Sequence, residues 1–286
     1  MRIQVNRNRN GEPLTNDQLQ KFAPSAFAGQ AYDAMSDRYS FIPTIEIIEG
    51  MRDAGFVPVA ARQSRSRTAG KGYFTKHQIC FRDLSANLTQ VGDTAVEVVI
   101  VNSHDGTSCL EEMLGAFRLA CLNGMMVSEG LAESIKVRHT GNIIERVVEY
   151  THNLIQMAPR VINAIQNWKQ IQLSSEEQII LAEGALALRW PDAAPVGPER
   201  LLTVNRNADV NNDLWTVFNR IQENSVNGGI KYIGHNQAGE QRRNRTRQVT
   251  GIDQSTKLNR ELWTLAEKMA ELWTIVRIWH ASSSLK

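Results

Sequence analysis

The residues of this chain best suited to chemistry are two runs of cations. No Asp or Glu occurs between Asp53 and Asp83, and that interval carries Arg62, Arg65, Arg67, Lys71, Lys76 and Arg82, with His77 beside them. Written out, ARQSRSRTAGKGYFTKHQICFR alternates arginines with small polar residues, turns at Gly70-Lys71-Gly72 and runs into Tyr73 and Phe74. Cationic side chains supply donors and charge for phosphates, and aromatic faces accept extruded bases. The second run, GEQRRNRTRQ, holds Arg242, Arg243, Arg245 and Arg247 with Glu240 nearby. A single charge run is usually a solvated loop. Two of them in a chain of net charge +2 segregate positive potential onto particular surfaces. Together they point to a nucleic-acid contact.

Competing chemistries find less support. The six histidines, His77, His104, His139, His152, His235 and His280, show neither HxH nor HxxxH spacing, and no cysteine pair accompanies them, so no metal site is expected. His104-Asp105 near Ser108 could be imagined as a triad, but turn and cap chemistry explains the same residues. Glu111 and Glu112, with Asp83, Asp93 and Glu97, could be imagined as a nuclease metal cluster. On a helix, however, adjacent glutamates diverge by ~100° and cannot chelate together. Neither GxxxxGK[ST] nor GxGxxG after a strand is present, so no nucleotide cofactor is expected and any function is ATP-independent.

The elements that must position the cations follow from pattern. Residues 1–37 are polar and read as an arm, with a short helix near Asn16–Phe22. Thr44 is a good N-cap for a helix bearing Ile45, Ile47, Ile48 and Met51 and stopped by Gly55. Strands are predicted at Phe56–Arg62, Tyr73–Phe81 and Ala95–Val101, so the first basic run is a flexible finger between two strands. Gly92-Asp93 marks a turn. Ser108 with Glu111 fits a capping box, and Leu110, Met113, Leu114, Phe117 and Cys121 follow helical spacing, which predicts a helix to Asn123-Gly124. A short strand is expected at Ser134–His139.

From residue 141 the pattern is helical: 142–168, unbroken or broken at Pro159; 174–189, with a Ser174/Glu177 capping box; a face of Leu214, Val217, Phe218 and Ile221; and a closing helix over 253–279. Residues 230–252 read as a polar loop. The fold class is therefore α+β, an N-terminal antiparallel sheet packed with helices followed by a mainly helical C-terminal part. The organisation is 1–37 arm, 38–140 α+β core with the basic finger, and 141–286 helical region.

At 42% apolar and 22% charged, 286 residues have a globular composition. Cys80, Cys109 and Cys121 cannot all pair, lie among apolar neighbours and lack CxxC spacing, which reads as buried free thiols in a reducing compartment. MRIQVNRNRNGEPLTND has no apolar core of signal-peptide length, and no run approaches the ~18 apolar residues of a span. A soluble cytoplasmic protein that does not enter a membrane is expected.

RYSFIPTIEIIEGMRDAGFVPV, KHQICFR, AFRLACLNGM, LWTVFNRIQENSVNGG and RTRQVTGIDQSTKLNRELWTLAEKMA together resemble an uncharacterised phage- and plasmid-related protein family, over about residues 38–275. The resemblance implies a mobile-element setting and supplies no catalytic residues. The order of strands followed by a helix carrying EEMLGAFRLACLNG is also similar to the core of single-strand annealing proteins of the RecT/ERF/Redβ type. Those are ATP-independent, assemble as rings or filaments and lay single strands along a basic groove. The combined expectation is a non-enzymatic single-stranded DNA-binding and strand-annealing protein of a phage or plasmid, acting as a homo-oligomer. Arg62, Arg65, Arg67, Lys71 and Lys76 would hold phosphates, Tyr73 or Phe74 would stack bases, and the second run would extend the path. The alternatives are a protein-binding host-takeover or anti-defence factor and, behind it, a metal-dependent nuclease.

Overall fold

A computed structural model of the chain describes residues 6–8, 12–36, 39–83, 90–91, 94–118, 123–127, 135–137, 143–235 and 239–283. Its contacts divide the chain into two compact units, Met1–Ile162 and Asn163–Lys286. The first is an antiparallel sheet with helices and the second is mainly helical, so the fold is α+β.

The sheet of the first unit contains β1 (Asn6–Arg7), β2 (Phe56–Gln63), β3 (His77–Asp83), β4 (Gln90–Val91), β5 (Thr94–Asn102), β6 (Leu110–Arg118), β7 (Asn123–Met126) and β8 (Ile135–Val137). Its order is β1-β2-β3-β5-β6-β7, with β4 beside β5 and β8 beside β6, and every pairing is antiparallel. β5 is the centre of the core: TAVEVVIVN is dominated by β-branched residues, and all nine positions are buried. Helices α1 (Asn16–Phe22), α2 (Thr44–Asp53) and α3 (Ile143–Gln156) complete the unit, α2 packing on β2 and α3, and α3 on β6.

Several elements differ from the sequence reading. The helix expected over Ser108–Cys121 is strand β6, which pairs with β5 from Thr94↔Arg118 to Val101↔Glu111. The helical spacing of Leu110, Met113, Leu114 and Phe117 is fortuitous. Residues 112–118 are all buried, so the strand shows no alternation and periodicity cannot distinguish it from a buried helix. Ser108 caps nothing; its backbone N–H donates to Ser103 Oγ at 2.8 Å. Cys121, Asp93, the Gly92-Asp93 turn and His139 lie outside the described residues. The expected strand at Tyr73–Phe81 begins only at His77, because Lys71–Phe74 form a 3₁₀ turn entered through Gly70 at φ +75°. Pro43, not Thr44, occupies the cap position of α2. The polar arm is integrated into the fold: Leu14, Leu19, Ala23 and Ala26 are buried, and α1 carries a Thr15/Gln18 capping box. Cys80 is buried as expected, but Cys109 is exposed.

Helix α4 (Ala158–Trp168) leads into the second unit, which continues with α5 (Ser175–Arg189), α6 (Leu214–Asn227), strands β9 (Lys231–His235) and β10 (Gln241–Arg245), and α7 (Ile252–Ser283). The break between α3 and α4 falls just before Pro159, and the Ser174/Glu177 capping box starts α5. Trp168, Trp215, Phe218 and Trp263 form one aromatic cluster, with centroids 4.8 Å apart for Trp168–Trp263 and 5.8 Å for Trp215–Phe218. The stretch over 230–252 is not a plain loop. It holds a two-stranded antiparallel hairpin running from Gln241↔His235 to Arg245↔Lys231.

Candidate nucleic-acid interface

The first basic segment is mostly committed to the fold. Arg62 is buried, donating Nε and Nη2 to Gln78 Oε1 at 2.9 and 2.7 Å, and burial holds its pKa below the ordinary value. Arg82 pairs with the buried Glu97 at 2.7 Å, and Arg7 donates to the same carboxylate while lying over the Phe117 ring. Lys71 pairs with Asp105 at 3.3 Å, and Lys76 is buried. Phe74 packs on Tyr32, centroids 5.4 Å apart. The connecting loop is tied down as well: Thr75 Oγ1 donates to Ser64 O, and Ser64 N–H to Lys76 O. Of the residues expected there, Arg65, Arg67 and Tyr73 remain exposed, Tyr73 at 66%. The flexible finger is thus a pinned loop with three available side chains.

The second segment is arranged differently. Arg242, Arg243, Arg245 and Arg247 are all exposed, and no ion pair among the described residues involves them. Alternation along the strands places Lys231, Ile233 and His235 on one face with Arg243 and Arg245, and Tyr232 and Gly234 on the other with Arg242 and Asn244. Lys231 and Arg245 are direct cross-strand partners, and Arg243 lies two residues along the same face. Ile233, opposite Arg243, is 65% exposed. A cleft of about 430 Å³ is lined by Lys231, Tyr232, Ile233, Arg243, Asn244 and Arg245.

The base of this hairpin is fixed to the helices. Gly229 N–H donates to Thr246 O at 2.8 Å, Thr246 N–H to Ile230 O at 2.9 Å, and Val249 N–H to Val226 O at 2.8 Å. Arg189 Nη2 donates to Arg247 O at 2.9 Å and its Nε to Ser225 O at 3.1 Å, clamping α5, α6 and the strand end together. Gly228, at φ +61°, makes the exit from α6, and a Cβ there would meet Arg247 backbone carbon at 2.7 Å. Lys231, Tyr232, Ile233 and Asn244 escaped the sequence reading. The signal available was a pair of five-residue stretches, KYIGH and QRRNR, on either side of NQAGE.

Among the described residues, the histidine and glutamate candidates beside the first basic segment are mostly buried. His77 Nδ1 lies 3.1 Å from Thr75 O, so that nitrogen carries the ring proton and Nε2 accepts from Thr44 Oγ1 at 2.8 Å. Having donated its proton, Thr44 Oγ1 accepts from Asn102 Nδ2 at 3.0 Å and from His104 Nε2 at 3.3 Å. His104 Nδ1 is left without a partner. Burial depresses His77 to about 3 and His104 to about 4, so both are neutral. Thr44, His77 and His104 are all at most 1% exposed, and the network ties α2 to β3 and to the end of β5. Asp105 accepts from Thr107 and pairs with Lys71 rather than orienting a His–Ser pair. Glu111 and Glu112 still diverge, now because neighbours on a strand point to opposite faces. Glu112 is buried without a cation, and burial raises its pKa to about 8. Among the described residues, no group of three or more His, Cys, Asp or Glu is placed to hold a metal ion, and no helix is long and apolar enough to cross a membrane.

Comparison places the chain among relatives. Residues 31–263 match the family described as domain of unknown function DUF932. The UPF0380 protein YafZ of Escherichia coli K12 is 36% identical over 262 residues, which are 91% of this chain and 93% of the relative. The UPF0380 protein YfjQ of the same organism is similar at the same identity and coverage. No solved structure matches the chain.

Proposed function

The chain belongs to the DUF932 family of unknown function, and we propose that it is an ATP-independent single-stranded DNA-binding protein whose principal contact is the β9–β10 hairpin. The observation that carries this is the register of Lys231 against Arg245, with Arg243 beside them on the same exposed face. Like charges directly across a strand pair destabilise it. A chain that sets three cations there, with no carboxylate paired to them among the described residues, has a face suited to a polyanion. Arg242 and Arg247 extend the charge, while Arg65, Arg67 and Tyr73 offer a second contact in the other unit.

Annealing of complementary strands, in a phage or plasmid setting, is the finer part of the proposal. Two basic segments able to hold two strands, and a sequence without an ATP-binding motif, support it. The element-order likeness to annealing proteins does not, because the helix on which it rested is strand β6.

The test is anisotropy of a labelled single-stranded oligonucleotide titrated with the full chain across salt concentrations. Binding should weaken steeply with salt. Arg243→Ala with Arg245→Ala should reduce the log–log slope by about 1.4, the loss of two phosphate contacts on a single strand. Absence of binding at low salt, or a double variant that binds as the wild type does, refutes the proposal.

A further inference from the structure

We infer that the hairpin holds an unstacked nucleobase, with Tyr232 as the stacking platform and Asn244 as the hydrogen-bonding partner of the base edge; this rests on the hairpin being the nucleic-acid contact. The two faces of β9–β10 carry different chemistry. One presents Lys231, Arg243 and Arg245, which suit phosphates and offer donors only, with no acceptor for a base amino group. The other places Tyr232 directly across from Asn244, with Arg242 across from Gly234 on the same face. Gly234 lies next along that face, and the Asn244 amide occupies the room its missing side chain leaves. A Cβ on Gly234 would meet Asn244 Nδ2 at 2.7 Å and Tyr232 Cε2 at 3.3 Å. The amide and the ring therefore lie together, and neither takes part in a side-chain hydrogen bond within the described part of the hairpin. A base needs an aromatic face and a paired donor and acceptor, which an aromatic ring and a carboxamide supply.

The cleft connects the two chemistries. Its lining includes cations from the first face and both Tyr232 and Asn244 from the second, and its volume of about 430 Å³ falls within the range of small-ligand pockets. One nucleotide can thus set its base on Tyr232 and its phosphate on Arg242, which lies on the same face, directly across from Gly234. A duplex keeps its bases stacked and would engage only the cations. Tyr73, the exposed aromatic of the other basic segment, lies in a 3₁₀ turn with no cross-strand partner and is not the base platform in this reading.

The experiment compares four probes on the full chain: a mixed-sequence single strand, its duplex, an abasic deoxyribose-phosphate strand of equal length, and inorganic polyphosphate. The single strand should bind about tenfold more tightly than the abasic strand, the effect of one base–aromatic stack. Tyr232→Leu should erase that preference while leaving the affinity for the abasic strand and its salt slope unchanged, and Tyr232→Trp should restore the preference. Independently of any variant, 2-aminopurine in the single strand should change its fluorescence on binding to the wild type. If the abasic strand or duplex binds the wild type as tightly as the single strand does, the base site is refuted while the cationic contact stands. If no probe binds at low salt, the hairpin reading itself fails.

Discussion

Glu112 offers the sharpest test of the first unit. It lies on β6 between Ile100 of β5 and Ile135 of β8 and has no solvent exposure. Thr151 of α3 donates to its Oε2 at 3.1 Å, and Oε1 has no partner. Without a cation to stabilise the anion, burial lifts the carboxyl from 4.5 to about 8, so the folded protein holds a proton at pH 7 that the unfolded chain has released. The sign follows from linkage: where the native state binds more protons, stability falls as pH rises. The window runs from 4.5 to about 8. Within it the penalty grows by about 1.4 kcal/mol per pH unit, reaching about 3 kcal/mol at pH 7 as an upper bound. Glu112→Gln keeps the shape and the acceptor for Thr151 but has nothing to ionise. Urea unfolding followed by tryptophan fluorescence at pH 5, 6, 7 and 8 should show the variant and wild type close together at pH 5. The variant should gain on the wild type at each step above that. Titration of all other groups cancels in the difference. A difference that stays constant across the series would mean that Glu112 is ionised or solvated in the folded state, and the argument would be wrong.

Further outcomes follow from the same reasoning. His77, depressed to about 3, should contribute stability that is fully present above pH 6.5 and lost as pH falls toward 3; His77→Gln should flatten this acid limb, read from urea midpoints at pH 4 to 7. Gly228→Ala, at φ +61° and against the Arg247 backbone, should cost more than about 1 kcal/mol and weaken oligonucleotide binding, because the hairpin leaves α6 at that point. Arg62→Ala should lower the melting temperature and leave the salt slope of binding unchanged, whereas Arg243→Ala should do the reverse. A thermal melt paired with the anisotropy titration separates the two.

How much of this could be read in advance depended on whether an element carried a local signal that the other element type does not share. α5 announced itself through its Ser174/Glu177 capping box, α6 through the helical spacing of Leu214, Val217, Phe218 and Ile221, and β5 through a run of β-branched residues. β6 did not. Its residues are buried on both faces, so Leu110, Met113, Leu114 and Phe117 fit a helical template equally well, and only pairing with β5 decides the matter. The hairpin was missed for the opposite reason. KYIGH and QRRNR contain no buried residue, so no core face imprints an apolar period on them. Their register comes from backbone bonds anchored at Thr246 and Ile230, which charge and composition do not reveal.

The two cation runs show why charge alone could not locate the interface. In the first, Arg62, Lys76 and Arg82 are interleaved with Ala60, Ala61, Ile79 and Phe81, residues that must enter a core. The strands that bury those residues carry the cations inward with them, where Gln78 accepts from Arg62 and Glu97 pairs with Arg82. In the second, no large apolar residue lies between Gln241 and Arg247, so nothing draws the strand into the protein and its arginines stay in water. A cation beside core residues tends toward a structural partner, and one among polar neighbours stays available to a ligand. On that criterion Arg65 and Arg67, set among serines and a threonine, belong with the hairpin arginines. Replacing both should therefore weaken binding of long oligonucleotides without changing stability, an outcome a purely structural role for the 64–74 loop would not produce.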